Sequence, residues 1–284
     1  MSLCLGPRSA PPPPPVANAG PSRFNHVKCP PSSALARFVD HYWVTRWDRR
    51  GHPPRAAAQL LDPCFHLLVQ DGRAEVMGVV RGAFRMYIEG AGCVVGAKFR
   101  PGGFYPFVLR PAVGWTDRVA SAEDVFDGAD GTDGPHAAWA RELSDAVNEC
   151  RGDAAAHAVI ITTHLDAFLG ARLPARDMAA EHVADLVALI AASPDLRRVS
   201  GLVRASGCSE RTLHRLFARY VGASPAWVIR RYRLHAAAER LTACPPADVR
   251  AVAWELGYAD QAHLIRDFRA TIGVTPGAYV QARL

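Results

Sequence analysis

The amino-acid sequence predicts an α+β protein of two domains: a small N-terminal β-barrel or sandwich, and an all-α C-terminal domain reached through helical segments. Three observations lead to this prediction. Short apolar runs separated by Gly, Asp and Pro fill residues 33–126, residues 136–192 are rich in Ala and Leu, and the last third contains two copies of one segment. The 284 residues are enough for two ordinary domains, each with a core of its own.

The composition narrows the class of protein. Apolar residues make up 49% and charged residues 21% of the chain, which is typical of a folded globular protein. The seven cysteines are scattered, odd in number and without a C-x-x-C pair, so neither a disulfide framework nor a zinc site is predicted. The sequence shows neither a secretory signal nor an apolar run of membrane-spanning length, which predicts a cytoplasmic protein with no membrane partner.

The first 32 residues are predicted to form a flexible, Pro-rich tail. They contain five consecutive prolines, Pro11–Pro15, and a Pro-Pro pair at residues 30–31. Such a stretch buries too little apolar surface to order itself, and it is typical of a polyproline-like linker. A ligand for an SH3-type domain is the more specific alternative.

Residues 33–126 are predicted to form the β-rich domain, because strand-like runs there end at turn-forming residues. These runs are F-H-L-L-V (65–69), A-E-V-M-G-V-V (74–80), F-R-M-Y-I (84–88) and C-V-V-G-A-K-F (93–99). The segment D-G-A-D-G-T-D-G-P at 127–135 is typical of a loop. Residues 136–176 are predicted to be a helical connector and a candidate dimerisation segment.

Two stretches of the β-rich domain are candidates for a ligand pocket, although the ligand itself is unknown. His41, Tyr42 and Trp43 form an aromatic cluster that either lines a pocket or belongs to the core. The segment R-P-G-G-F-Y-P-F at 100–107 is either a ligand-facing loop or a packed turn after a strand. We favour the packed turn.

No enzyme chemistry is predicted. A metal-dependent oxygenase built on a small β-barrel needs clustered histidines and a carboxylate, and His52 and His66 have no H-x-H context. Neither a G-x-S-x-G nucleophile motif nor a glycine-rich phosphate loop occurs. We therefore expect no catalytic residue, no metal site and no cofactor.

The excess positive charge lies in the last third of the chain. Residues 194–284 contain 14 arginines and seven acidic residues, whereas the remainder has 19 basic and 20 acidic residues. A basic excess confined to one region is typical of a polyanion-binding domain, most often one that binds nucleic acid. A solvated basic surface is the alternative that charge alone leaves open.

The C-terminal domain is predicted to span residues 177–284 and to begin with an amphipathic helix at 177–192. Its apolar stripe at i, i+3, i+4 and i+7 is formed by Val183, Leu186, Val187 and Ile190. The Ser193-Pro194 pair ends this helix, and the helical pattern resumes after it.

The first copy of the repeat is predicted to be a helix-turn-helix unit. V-S-G-L-V-R-A-S (199–206) is a short amphipathic helix, Gly207 gives the bend, and Ser209 is a suitable N-cap for a second helix. The second helix has an apolar face and a basic face, formed respectively by Leu213, Leu216, Phe217 and by Arg211, His214, Arg215. This layout is typical of a DNA-binding unit whose second helix enters the major groove.

The second copy follows the same pattern, with Asp248 and Asp260 as N-caps and Gly257 at the bend. Its second helix is predicted to bury Leu264, Ile265 and Phe268 and to expose Gln261, His263 and Arg266. Residues 225–241, between the copies, are predicted to form one continuous helix. Such a spacer would let the two recognition helices enter successive major grooves, roughly 34 Å apart.

The second copy is one residue longer than the first. Gly207 pairs with Gly257 at an offset of 50, whereas Leu213 pairs with Leu264 at an offset of 51. The extra residue therefore lies between the bend and the first core leucine of the recognition helix. We expect either a longer turn in the second unit or a different start of its helix.

These motifs resemble the AraC/XylS-type DNA-binding domain. S-x-R-x-L-x-R-x-F-x-x-x-x-G-x-S-P (209–225) and G-Y-A-D-Q-A-H-L-I-R-D-F-R-x-x-x-G-V-T-P-x-x-Y (257–279) carry the resemblance, which covers about residues 178–284. It implies a transcription regulator with two helix-turn-helix units on one long helix. Family members of this length usually carry a sensor or dimerisation domain first, often a cupin-like β-barrel.

The resemblance also implies seven DNA-binding residues by position. They are, toward the bases, Arg211, His214 and Arg215 in the first unit and Gln261, His263 and Arg266 in the second, with Thr212 toward a phosphate. Arg pairs well with guanine and Gln with adenine in the major groove. Packing or phosphate positioning is the alternative role of Arg215 and Arg266, and Ala262 stands where the family often has a polar side chain.

The sequence therefore predicts a sequence-specific DNA-binding transcription regulator, controlled by a small ligand or by dimerisation through its N-terminal domain. Double-stranded DNA is the expected partner, and RNA polymerase, a small-molecule effector and a second copy of the chain are further candidates. Two alternatives stay open. One is an enzyme with a catalytic N-terminal barrel and autoregulatory DNA binding, and the other is an adaptor that binds proteins through its helical domain.

Overall fold

The computed structural model of the protein describes residues 23–126, 135–150, 153–243 and 248–281. Its strands are β1 (Arg23–Cys29), β2 (Val39–Arg49), β3 (Arg55–Gln59), β4 (His66–Gln70), β5 (Arg73–Met77), β6 (Phe84–Ile88), β7 (Gly90–Phe99) and β8 (Val119–Ser121). The first helices are α1 (Tyr105–Val108), α2 (Ala122–Phe126), α3 (Pro135–Glu149) and α4 (Ala154–Gly170). The later helices are α5 (Met178–Ala192), α6 (Val199–Ser206), α7 (Glu210–Leu216), α8 (Pro225–Ala243), α9 (Val249–Glu255), α10 (Gln261–Ile272) and α11 (Pro276–Gln281).

The strands form two antiparallel sheets. Six of them pair in the order β1-β2-β7-β4-β5-β8, while β3 and β6 pair separately. Among the described residues no pairing joins the edge strands β1 and β8, so the large sheet is open and is not a closed barrel. The predicted fold class, a β-rich domain followed by an all-α domain, is confirmed.

Strand β1 corrects the predicted length of the N-terminal tail. The tail was expected to reach residue 32, but β1 pairs residue by residue with β2, from Arg23 opposite Asp48 to Cys29 opposite Tyr42. Cys29 is buried at the end of this strand. The Pro-rich composition of residues 1–32 predicts a flexible tail. A prediction from composition alone misses a short strand that is stabilised by pairing with a neighbouring strand. The prolines at 11–15 and the loop segment 127–134 lie outside the described residues.

Helices α3 and α4, expected to be a connector, instead pack against the large sheet. The Tyr42 hydroxyl of β2 donates to Asp166 of α4 at 2.7 Å. Arg46 of the same strand donates to the Val147 carbonyl of α3 at 2.7 Å. Because a half-apolar sheet must bury one face, these two helices are a layer of the N-terminal domain.

The C-terminal domain begins with α5, whose N-cap Asp177 accepts hydrogen bonds from the amides of Ala179 and Ala180. The predicted stripe of Val183, Leu186, Val187 and Ile190 is buried. No helix of the described residues has the length and apolar character needed to cross a membrane.

The buried apolar residues form two main cores, and their boundary falls inside α8. One core runs without a break from the sheet through α5, α6 and α7 to Val228 and Ile229. The other begins at Leu234 of the same helix and continues through α9 and α10 to Tyr279. The first helix-turn-helix unit therefore shares a core with the N-terminal domain, whereas the second has its own.

Candidate DNA-binding surface

The first helix-turn-helix unit consists of α6, a short turn and α7. Gly207 ends α6 with a φ of 68°, in the left-handed region that favours glycine. Ser209 then caps α7, because its hydroxyl accepts the Thr212 amide at 3.2 Å. A π-helical turn at Phe217–Val221 follows α7, where the sequence pattern predicted continuous α-helix.

The two faces of α7 differ as its sequence pattern predicts. Leu213 and Phe217 are fully buried. The predicted DNA-contacting side chains Arg211, His214 and Arg215 are exposed together on the other face. Thr212, predicted to lie toward a phosphate, is half-buried, and its hydroxyl is 2.9 Å from that of Ser209.

The second unit consists of α9, its turn and α10. Asp260 caps α10, because its carboxylate accepts the His263 amide at 2.6 Å. Leu264 and Phe268 are buried. The three side chains predicted to face the bases, Gln261, His263 and Arg266, are exposed. The structure thus groups the predicted residues by unit, three exposed side chains on each recognition helix.

The extra residue of the second unit lies in its turn. One residue, Cys208, separates Gly207 from the cap Ser209 in the first unit, whereas Tyr258 and Ala259 separate Gly257 from the cap Asp260. The core leucine follows the cap by four residues in both units. The expectation of a longer turn is confirmed, and the alternative, a different helix start, is wrong.

Tyr258 gives the longer turn its structural role. The side chain is buried, and its hydroxyl donates to Asp267 of α10 at 3.0 Å. Asp267 is also buried and accepts a hydrogen bond from Arg230 of α8. The Arg233 guanidinium lies 4.2 Å from the Tyr258 ring centroid, in a cation–π arrangement. Burial raises the pKa of Tyr258 above its usual range, so the hydroxyl stays protonated and donates. These four side chains, named here the Asp267 lock, fasten α10 to α8.

Helix α8 is continuous from Pro225 to Ala243, two residues past the predicted end. Its 19 residues give a length of about 28 Å at 1.5 Å per residue. Because the first core uses its N-terminal half and the second core its C-terminal half, the two recognition helices are attached to one rigid element.

Sequence reasoning missed four exposed arginines near the ends of these helices, Arg198, Arg204, Arg250 and Arg269. Within the described ranges their side chains make no hydrogen bond or ion pair. Arg219 and Arg231, in contrast, are used within the fold and are not free for DNA. Position along the helix sets Arg231, inside α8, apart from these four, but not Arg219, which also lies in a last turn, next to Gly222.

Hydrogen bonds join the N-terminal domain to the first unit and to α8. The Thr116 hydroxyl donates to the Gly222 carbonyl, and Arg219 donates to the Tyr105 hydroxyl. Arg231 of α8 is almost fully buried and donates to the Val80 and Gly82 carbonyls. Burial lowers the pKa of Arg231 to about 10, which leaves the guanidinium charged at neutral pH. These contacts leave the exposed face of α7 uncovered.

The pocket candidates of the N-terminal domain divide between its two faces. His41 and Trp43 line a cavity of about 690 Å³, whereas Tyr42 points to the opposite face of β2. The segment at 100–107 is the packed turn, because Phe104 is buried and stacks on Phe65 with ring centroids 4.4 Å apart. His66 lines the cavity too. The described residues contain no group of three or more His, Cys, Asp or Glu placed to hold a metal ion.

Two family models match the chain. One is described as a helix-turn-helix domain and matches residues 202–282. The other is described as a domain of unknown function (DUF6597) and matches residues 27–121. No curated protein matches the chain.

Among solved structures, ToxT from Vibrio cholerae is similar to this chain. The apo form of a ToxT variant from strain SCE256 is 11% identical over 93% of this chain and 98% of its own, with a TM-score of 0.43. ToxT from strain O395 is 10% identical over 92% of this chain and 97% of its own, with a TM-score of 0.42. Wild-type ToxT of strain SCE256 bound to an unsaturated fatty acid is 11% identical, with coverages of 93% and 96% and a TM-score of 0.35.

Proposed function

Because residues 202–282 form a helix-turn-helix domain of the AraC type, we propose that this protein is a sequence-specific DNA-binding transcription regulator. The observation that carries the proposal is the pair of exposed recognition faces on α7 and α10, fixed to the single helix α8. Residues 177–284 would bind DNA, and the preceding domain would control that binding through a small ligand or through dimerisation.

In the first unit we propose that Arg211, His214 and Arg215 contact base edges. Their exposed side chains share one face of α7, where a guanidinium can donate two hydrogen bonds to guanine O6 and N7. Thr212 would face a phosphate from the first turn of α7, because its hydroxyl and its amide both contact the Ser209 hydroxyl. The cap thus presents the N-terminal end of α7 to a phosphate.

In the second unit we propose the same role for Gln261, His263 and Arg266. The amide of Gln261 suits adenine N6 and N7, and Arg266 suits guanine. The His263 ring packs edge-on against Tyr258, with centroids 5.2 Å apart, so the Asp267 lock also orients a base-reading side chain. The longer turn therefore gives α10 an orienting contact that α7 does not use.

The four exposed arginines Arg198, Arg204, Arg250 and Arg269 are proposed phosphate contacts. They have no internal partner in the described part of the chain, and cations at such positions bind the DNA backbone without reading sequence. They would supply affinity and salt dependence, while the recognition helices supply specificity.

The test begins with selection of genomic DNA fragments that the full-length protein binds, followed by gel-shift titration across salt concentrations. We expect affinity to fall steeply as salt rises, because phosphate contacts release counterions. Arg211→Ala should cost about 1–3 kcal/mol on the selected sequence and relax preference at one or two base positions. Arg204→Ala is the matched control, which should weaken binding to every sequence equally.

Two results would count against the proposal. Affinity that does not change with salt would exclude phosphate-based DNA binding. Equal weakening of all sequences by Arg211→Ala would move Arg211 from base reading to phosphate contact.

A further inference from the structure

The cavity of about 690 Å³ lies between the large sheet and the β3–β6 pair. A volume of this order suits a drug-sized molecule. Four parts of the protein line it: the large sheet, the β3–β6 pair with its Phe84, Met86 and Ile88, the loop at residues 60–62, and His235 of α8. The cavity therefore touches the helix that carries both DNA-binding units.

Two tryptophans of β2 give the cavity an aromatic wall. Trp43 lies opposite Gly96 and Trp47 opposite Gly92 on the neighbouring strand β7. A Cβ atom at Gly96 would come 2.4 Å from Trp43 Cε2, and one at Gly92 would come 2.3 Å from Trp47 Cζ2. Any side chain at either glycine would push the indole away, so the glycines keep both rings laid over the sheet. Such a wall suits a planar aromatic molecule.

The other end of the cavity is polar, and the lysine there is already paired with two carboxylates. The Lys98 ammonium lies 2.6 Å from Asp62 Oδ2 and 3.3 Å from Asp40 Oδ2. Because Lys98 is already paired with both carboxylates, and His41 also contacts Asp40 at 3.1 Å, the ammonium charge is compensated and attracts an anionic ligand weakly. Lys28 and Arg55 also border the cavity, but both are solvent-exposed, so water screens their charge.

His66 has an unpartnered ring nitrogen at this end. The side chain is buried, its Nε2 lies 3.5 Å from Cys64 Sγ, and its Nδ1 has no hydrogen-bond partner in the described structure. Burial lowers the pKa of His66 to about 4 and raises that of the Cys64 thiol to about 12. We assign the Cys64 thiol as the donor to Nε2, which places the ring proton on Nδ1. A buried N–H without an acceptor is costly, and a ligand oxygen would satisfy it.

His235 connects the cavity to the DNA-binding domain. Its Nε2 lies 3.4 Å from the Leu61 carbonyl and 3.7 Å from Asp62 Oδ1, both on the loop that borders the cavity. The residue follows Leu234, where the second core begins. A ligand that moves Asp62 would therefore change one of the contacts between the N-terminal domain and α8.

From these contacts we propose that the cavity binds a neutral, planar aromatic molecule with a carbonyl or hydroxyl oxygen that accepts from His66. We further propose that α8 senses this molecule through the contact of His235 with Leu61 and Asp62. The effect on DNA binding rests on the proposed function, whereas binding in the cavity does not.

The first experiment measures binding to the full chain without DNA, by calorimetric titration with three matched probes. These are 4-acetylbiphenyl, its oxygen-free analogue 4-ethylbiphenyl and the anion biphenyl-4-carboxylate. We expect 4-acetylbiphenyl to bind about tenfold more tightly than either of the others, which corresponds to one hydrogen bond or one charge penalty. Tightest binding of the carboxylate, or no binding by any probe, would overturn the proposed ligand class.

Two variants then locate the site. His66→Phe keeps an aromatic ring and removes the donor, so it should abolish the preference for the acetyl over the ethyl probe. Met86→Trp fills the cavity from the small sheet and should weaken all three probes. Unchanged probe affinities in folded Met86→Trp would place the site elsewhere, and this result decides the matter even where His66→Phe does not fold.

The second experiment tests the link to α8. In the wild-type protein, saturating 4-acetylbiphenyl should change the affinity for the selected DNA by about threefold or more. His235→Gln, compared at its own saturating probe concentration, should lose this change. A probe that binds without altering DNA affinity would overturn the link to α8 alone, whereas a protein that binds the probe and no DNA would overturn the proposed function alone.

Discussion

The two helix-turn-helix units share one layout, yet they are held to the rest of the molecule by different interactions. The first unit shares an apolar core with the N-terminal domain, and Tyr220 packs on Tyr105 with ring centroids 4.6 Å apart. The second unit has a separate core, against which Leu60 of the N-terminal domain packs at the edge. The first unit is thus positioned by the N-terminal domain, and the second by α8.

One pair of equivalent positions shows how the sequence produces this difference. Leu216 of the first recognition helix corresponds to Asp267 of the second at the offset of 51. Leu216 packs against the first core, whereas Asp267 accepts from Tyr258 and Arg230. The side chain at this position of the recognition helix thus faces the structure that anchors the unit. That structure is an apolar core in the first unit and the Asp267 lock in the second. Repetition in the sequence preserves the shape of the unit and not its attachment.

The largest expected effect comes from breaking the Asp267 lock. Asp267→Ala leaves Arg230 and the Tyr258 hydroxyl without their acceptor and Arg233 without its ion-pair partner, so we expect a loss of about 3 kcal/mol in the free energy of unfolding. Urea unfolding at neutral pH measures it. Glu255→Gln is the matched control, because the exposed Glu255–Arg240 pair should contribute no more than about 1 kcal/mol.

Hydrogen exchange of the same variant tests the separation of the two cores. If the second unit opens independently of the first, Asp267→Ala should lower the protection of α10 while α7 keeps its own. Equal loss of protection in α7 and α10 would show that the two units unfold as one, against the comparison drawn from their cores.

A smaller effect tests the attachment of the first unit. Gly207 and Gly222 both have positive φ, so alanine at either position should cost about 1–2 kcal/mol of strain. At Gly222 the added Cβ would also come 2.9 Å from the Ala112 carbonyl oxygen of the N-terminal domain, whereas at Gly207 it would meet nothing within 4 Å. We therefore expect Gly222→Ala to cost about 2 kcal/mol more than Gly207→Ala in urea unfolding. Equal costs would mean that the contact between Gly222 and the N-terminal domain yields freely.

Much of the C-terminal domain could be predicted from sequence because its signals are local. The bend Gly207, the caps Ser209 and Asp260, and the position of the extra residue all follow from spacing along the chain. The structural role of the longer turn could not be predicted, because its Tyr258 binds Asp267. Asp267 in turn binds Arg230, which lies 37 residues away on another helix. A pattern shows which face of a helix is apolar but not which element will cover it.

The N-terminal domain was harder to predict for the same reason. The tail prediction missed β1, because pairing with β2 and not its own composition stabilises that strand. The cavity combines His41, His66 and His235, which lie far apart in sequence and meet through the register of the sheet and the docking of α8. Strand alternation does explain, after the fact, why Trp43 faces the cavity and Tyr42 does not.

The smallest expected effect concerns the N-caps of the two recognition helices, a feature that both units share. Each recognition helix starts at a side-chain cap, Ser209 or Asp260, that accepts the amide of the third helical residue. Ser209→Ala and Asp260→Ala should therefore cost about 1 kcal/mol each in urea unfolding, although one turn is longer than the other. A cap depends on the hydrogen bond at the helix start, and in both units an extended cap residue accepts the amide three residues on. If Asp260→Ala costs several times more than Ser209→Ala, the cap of the second unit must also hold Tyr258 in place, and the longer turn would not be self-supporting.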